Sequence, residues 1–281
     1  MSTIVLLSLT GLGLAALYFL VASGLSLVFG LADVLNFAHG LFLSVGAYGT
    51  WWAAPRIGFA LAVVFGVVLG AVAAVLVELV LIRPLYRRTI EQVLVTVGLA
   101  LAGVALLQAM FGADPRAFPR PPWTQRVVSI LGARVPIDRL LLIVAALAVL
   151  GALLAFLRWT RYGLIVRAGV ENREMVTALG IDVRKAFTLV FAIGGAAAAL
   201  AGALGGIYLG SVSPGGGQSL LIFAFIIVVI GGLGSVLGSA VAAVTVGLLQ
   251  QFVNYYSTGM GDICVIALLA AVLLWRRSVR A

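Results

Sequence analysis

The stretch IGFALAVVFGVVLGAVAAVLVELVLI, residues 57–82, carries a single ionisable side chain, Glu78. At about 1.5 Å per residue, a helix of that length outreaches a hydrocarbon core of roughly 30 Å. Comparable apolar runs fill most of the chain: Ile4 to Gly30, Phe37 to Ala54, Val93 to Phe111, Leu140 to Leu157, Ala186 to Gly210, Ser219 to Gly232, Val236 to Phe252 and Ile263 to Trp275. The composition agrees, at 63% hydrophobic and 10% charged residues, against about 45–50% and 25% in soluble domains. The pattern predicts an all-α, polytopic transmembrane helical bundle with about nine crossings, within a range of roughly 8–10, some of them broken or re-entrant. Little polar sequence separates the runs, so one transmembrane domain over residues 1–281 is expected.

The formal charge of +9 lies mostly between the runs rather than within them. Arg83, Arg87 and Arg88, the segment from Arg158 to Lys185, and Arg276, Arg277 and Arg280 form three basic patches. By the positive-inside rule these are cytoplasmic, which places the C-terminus inside and the N-terminus outside. Arginines at helix ends point to a membrane and not to nucleic acid. The segment from Gly112 to Asp138 then faces outside as an extended surface loop, with Pro119, Pro121 and Pro122 in it, although Arg116, Arg120, Arg126 and Arg134 run against the rule there. The first apolar run lacks a basic flank and a small-residue cleavage site, so it is expected to stay as a helix. Cys264 is the only cysteine, which excludes an intrachain disulfide.

Several chemistries are excluded. Lys185 is the only lysine and follows Arg184, so there is no phosphate-cradling loop ending in Gly-Lys-Ser or Gly-Lys-Thr. One histidine cannot make a zinc-protease pair, and no Gly-x-Ser-x-Gly elbow occurs. No catalytic residue and no metal site is expected. Coupled carriers keep ionisable groups deep in the bundle, yet the runs here hold almost none. Glu78 reads as an end-of-helix carboxylate near arginines, and Asp262 as a residue of a helix's first turn. The solute path therefore draws its energy from another chain, with a stand-alone secondary transporter or channel as the alternative.

Three features carry more information. Gly202, Gly206 and Gly210 form a row suited to close helix packing. The cluster Gly231-Gly232-Leu233-Gly234-Ser235 favours a break. Within Asp33 to Gly40, Asn36 and His39 are hydrogen-bonding side chains beside glycine in an apolar context. Buried polar groups need partners, so this spot is a structural hinge or a substrate contact. In the basic segment, a helix would align Ala168, Asn172, Met175 and Leu179 on one face, and Arg167, Glu171, Glu174 and Ala178 on the next. Gly180 suits a left-handed helix end. Such a short two-faced helix is an interfacial connector or a docking element.

Together these residues resemble the permease subunits of bacterial ABC importers for branched-chain amino acids. The resemblance rests on the Gly-Leu-x-Leu-x-Phe-Gly run at residues 24–30 leading to Asn36-Phe37-Ala38-His39-Gly40. It rests also on Arg167-Ala168 through Gly180-Ile181 with Glu171-Asn172, and on Gly231 to Ser235 with Gly238. Leu41 departs from the polar or acidic residue many members carry after the His-Gly pair. The resemblance implies a multi-pass protein of the bacterial cytoplasmic membrane. It implies a second, related permease subunit, either a different chain or another copy of this one. It also implies two cytoplasmic ATPase subunits that bind the ATP, and an extracytoplasmic solute-binding protein. Arg167, Ala168, Glu171, Asn172, Ala178 and Gly180 would belong to the helix that couples to the ATPase. Asn36, His39, Gly40, Gly231, Gly232, Gly234 and Ser235 would line or gate the translocation pathway. No cofactor belongs to this chain itself.

Overall fold

The computed structural model describes residues 2–32, 36–86, 88–178, 180 and 183–280, and at 31, 32, 170–174, 177, 178 and 276–280 the backbone alone. Among the described residues, ten α-helices make the bundle: α1 (Ser2–Ala32), α2 (His39–Ile57), α3 (Phe59–Val77), α4 (Thr89–Phe111), α5 (Ile137–Trp159), α6 (Arg161–Ala178), α7 (Val183–Leu209), α8 (Gly216–Gly231), α9 (Val236–Tyr256) and α10 (Gly261–Arg280). Each of the nine predicted crossings coincides with one of these helices, and α6 is the two-faced segment. Of the described residues, six stretches are long and apolar enough to cross a membrane: Ser2–Gly30, Phe59–Leu85, Thr89–Phe111, Ile137–Trp159, Val183–Leu209 and Val236–Tyr256. The chain is thus a multi-pass membrane protein with an all-α fold. Helix α8 has only 16 residues, about 24 Å of rise, and falls short of the hydrocarbon core. It ends at the break that the glycine cluster predicts.

Helices α1 and α7 hold the centre. Leu17, Leu20 and Leu25 on α1 and Phe187 and Phe191 on α7 are fully buried, while α3, α4 and α5 turn most of their surface outward. Lipid tails are as apolar as leucine, so burial alone does not drive helices together, and close van der Waals contact must. Small residues make that contact possible. A Cβ on Gly202 would strike the backbone of Leu43, one on Gly46 would strike Ala199, and one on Gly195 would strike Ala74. These positions let α7 lie against α2 and α3 with backbones nearly touching. In the predicted glycine row, Gly202 plays this part. Gly206 lies instead under the ring of Phe118, and Gly210 falls beyond the end of α7 with φ +76°.

The segment between α4 and α5 is not the extended loop the prolines suggest. Arg116–Ala117 (β1) pairs antiparallel with Ser211–Val212 (β4), which follows α7. Val127–Ile130 (β2) and Ala133–Pro136 (β3) form a hairpin. Phe118 is buried against Gly206, its backbone N–H donates to Gly210 O at 3.0 Å, and Trp51 Nε1 donates to Ala117 O at 3.0 Å. The prolines shape an ordered cap fastened to α2 and α7.

Candidate functional site

The turn from α1 into α2 is built by its own side chains. Asn36 Oδ1 accepts from Ala38 N at 3.0 Å, and Asn36 O accepts from His39 N at 3.2 Å, so the asparagine closes the turn that starts α2. His39 is fully buried, with Nε2 3.1 Å from Val21 O on α1. A carbonyl only accepts, so Nε2 carries the proton and Nδ1 is left as an acceptor. Among the described residues, Nδ1 and the Asn36 amide nitrogen have no hydrogen-bond partner. Glycines admit this arrangement: a Cβ at Gly24 would lie 2.5 Å from Gly194 O and 3.0 Å from the His39 ring. Gly40 meets α8, since a Cβ there would lie 2.8 Å from Gly217 O. Leu41 points elsewhere, over Gly103 of α4, where it fills the space a Cβ would take. The side chain that follows the His-Gly pair is a packing residue in this chain.

The second predicted break, between α8 and α9, is also formed. Gly232 and Gly234 have φ of +96° and +80°, a conformation that costs residues with a Cβ about 1–2 kcal/mol. Ser235 caps α9, its Oγ accepting from Gly238 N at 3.0 Å. Gly231 packs against the backbone of Gly238. The two breaks do not form one site. Gly217 touches Gly40 near the start of α8, whereas Gly231 ends that helix, and the rise between them is roughly 20 Å.

Between α2, α7 and α8, on the side of the β1–β4 pair, lies a small cleft of about 60 Å³. Its wall combines Ser44, Ser211 and Ser213 and several glycines, Gly202, Gly206 and Gly217 among them, with the apolar side chains of Leu43, Leu209 and Leu220. Buried Ser44 donates to Pro214 O at 3.4 Å across the cleft's edge. The sequence reading took Gly202 and Gly206 for packing alone and missed Ser44, Ser211, Ser213 and Gly217. The signal was Pro214-Gly215-Gly216-Gly217, a turn that leads straight into a short helix.

At the far end of α3, Glu78 is the end-of-helix carboxylate expected beside an arginine, but it is held inside the bundle. The helix widens into a π turn over Glu78–Ile82, and the Glu78 side chain is fully buried. Its Oε1 accepts from Tyr86 Oη and from Arg83 Nε at 3.3 Å, and its Oε2 accepts from Thr188 Oγ1 at 2.9 Å. Arg83 Nη2 closes the ring by donating to Thr188 Oγ1 at 3.0 Å. The arginine partner was legible from spacing; the link to α7 was not.

Helix α6 leads into α7 from this end. Thr160 caps it, Oγ1 accepting from Gly163 N at 2.9 Å. Gly163, Val166, Gly169 and Val176 are buried, and Arg167, Ala168 and Met175 are exposed. The two predicted faces therefore lie on the outward side at Arg167, Ala168 and Met175. The side chains of Glu171, Asn172, Glu174 and Ala178, and residue Leu179, lie outside the described set. Gly180 is exposed with φ +76°, the left-handed end foreseen.

Residues 7–276 match the family described as branched-chain amino acid transport system, permease component. Escherichia coli K12 LivH, named a high-affinity branched-chain amino acid transport system permease protein, is 30% identical over 94% of this chain and 91% of its own length. Pseudomonas aeruginosa BraD, of the same description, is 28% identical over 95% and 92%. A probable branched-chain amino acid transport permease of Methanocaldococcus jannaschii is 27% identical over 84% and 77%. No solved structure matches the chain. With a match along nearly its whole length and a bundle of membrane-spanning helices, the chain belongs to the family of branched-chain amino acid transport system permease components.

Proposed function

We propose that this chain is the membrane-spanning permease subunit of an ABC importer that carries branched-chain or related amino acids across the cytoplasmic membrane. The observation that carries the reading is the near full-length family match, joined to the absence from the sequence of any phosphate-binding loop. The chain is not itself an enzyme and works as one transmembrane domain. Its energy comes from two cytoplasmic ATPase subunits, and its solute from an extracytoplasmic binding protein. A second permease, related or identical, completes the pathway. The three basic segments set the orientation, with the N-terminus outside and the C-terminus in the cytoplasm.

In this reading α6 seats in an ATPase groove, with Arg167, Ala168, Glu171, Asn172, Ala178 and Gly180 at the contact or its joint. The break at Gly231, Gly232, Gly234 and Ser235 and the turn at Asn36, His39 and Gly40 bound the pathway, each turning a helix back inside the bundle. The cleft beside Ser44 is its mouth on the extracytoplasmic side. Burial of His39 against Val21 O favours a hinge role over direct substrate contact. The test is isolation in mild detergent followed by reconstitution. Recovery of ATPase subunits and ATP-dependent uptake of leucine, isoleucine or valine supports the proposal. A chain isolated alone that moves solute without ATP refutes it in favour of a secondary carrier or channel.

A further inference from the structure

We propose that the β2–β3 hairpin is a docking surface for an acidic protein on the extracytoplasmic side, namely the solute-binding component. This inference rests on the importer reading and its orientation. The observation behind it is a hairpin whose tip is both strained and bare. Leu131 has φ +49°, alone among non-glycine residues described, and Gly132 follows at +79°. Two positive φ values in succession are what a tight two-residue hairpin turn demands, and asparagine, aspartate or glycine normally serves there. A leucine in that conformation costs about 1–2 kcal/mol. Within this chain the leucine gains little in return, since its side chain is 83% exposed. Strain kept at an exposed apolar residue points to a contact made with another molecule.

The charge pattern names the partner's chemistry. The cap carries four arginines that defy the positive-inside rule, against one aspartate, Asp114. The structure divides them. Arg116 is spent on the cap itself, its Nε donating to Phe111 O at 2.6 Å and its guanidinium 5.5 Å from the Trp51 ring. The Arg120 guanidinium lies over Gly210. Arg126, at the base of the hairpin, and Arg134, opposite Ser129, are exposed and have no acceptor among the described residues. Val127, half exposed, shares a face of the hairpin with Arg134 by the strand register and adds apolar surface. A bare leucine at the tip and a half-bare valine on a hairpin that also exposes two guanidinium groups fit a carboxylate-rich protein face with a shallow apolar pocket.

The position favours a protein over lipid headgroups. Ala133 and Val135 are buried, and β3 packs on α1, one of the two central helices. The hairpin therefore rests on a central helix of the bundle as well as on the outward-facing α5. It is also held firmly, with Ile137 N donating to Arg126 O at 3.0 Å and the cap tied to α2 and α7. A fixed hairpin loses little freedom on binding.

The test uses the assembled transporter in lipid nanodiscs and the purified solute-binding protein that co-purifies with it, titrated at several salt concentrations. The double variant Arg126→Glu/Arg134→Glu is expected to weaken docking at least ten-fold at low salt and to flatten its salt dependence. Leu131→Gly removes the side chain and relieves the backbone, so it should leave melting temperature equal or higher while weakening docking several-fold. Unchanged docking by these variants overturns the surface assignment and leaves the importer reading standing. Failure of the unaltered transporter to bind the protein at all overturns both. Normal docking combined with loss of the second permease, or with a new dependence on anionic lipid, assigns the hairpin to that neighbour instead and also overturns the proposal.

Discussion

Thr188 Oγ1 donates to Glu78 Oε2 at 2.9 Å, joining side chains 110 positions apart and fastening the end of α3 to the second turn of α7. The threonine proton has another acceptor, Arg184 O at 3.2 Å, but the carboxylate is nearer and makes the stronger bond. Because α7 runs from this clasp to the cleft at Gly202 and Gly206, the clasp lies where a pull on α6 would enter the bundle.

Thr188→Val keeps the shape but leaves the buried carboxylate oxygen short of a donor. Its expected cost is about 1–3 kcal/mol, read as a lower melting temperature of the purified chain. Glu78→Gln should cost less, since the amide still accepts and Arg83 is partly solvated. Measured together, the two substitutions should be non-additive by at least about 0.5 kcal/mol. Additive effects would show that the two groups do not act as one unit.

How much of this was legible beforehand depends on how local each feature is. The helices were readable because a membrane segment declares itself in its own composition. The breaks at Asn36–Gly40 and Gly231–Ser235 were readable because hinge residues and glycines interrupt an apolar run. The clasp was not, since nothing near Glu78 in the chain announces Thr188. Nor was the cap: its prolines suggested a loop, while the alternation in Val127–Ile130 and Ala133–Pro136 around Leu131-Gly132 is a hairpin signal too short to stand out. The cleft joins residues from three helices and a strand, so only the fold could assemble it.

Gly202→Ala should destabilise the bundle by about 1–3 kcal/mol, because the new methyl would meet the Leu43 backbone and α7 cannot withdraw from α2 without opening its other contacts. Gly151→Ala is the control: nothing lies within 4 Å of a Cβ there, and alanine in mid-helix is favoured by about 0.5–1 kcal/mol. Thermal unfolding in detergent distinguishes them. Equal melting temperatures would remove close packing as the reason for the α2–α7 glycines.

His39→Ala leaves Val21 O without the imidazole donor and opens a void beside Phe42, whose ring stands edge-on to it at 6.1 Å. A hinge role predicts a loss of roughly 2 kcal/mol or more in stability and a matching fall in the yield of folded protein. Uptake per folded transporter should change little. Normal folding with abolished uptake would instead place His39 in the path of the solute.

Gly180 separates docking from transmission. With φ +76° and nothing within 4 Å of a Cβ, Gly180→Ala strains only the backbone, and Gly180→Asn strains it less because asparagine tolerates the left-handed region. If the joint between α6 and α7 transmits ATPase closure, Gly180→Ala should lower uptake several-fold at unchanged ATP hydrolysis, and Gly180→Asn should recover most of it. Glu171→Arg acts at the proposed ATPase contact and should abolish uptake while the ATPase subunits still hydrolyse ATP, with no rescue by any change at Gly180. Parallel assays of hydrolysis and uptake in proteoliposomes give both numbers. Full uptake in Gly180→Ala would mean that the joint's conformation is incidental. Full uptake in Glu171→Arg would remove this face of α6 from the coupling contact.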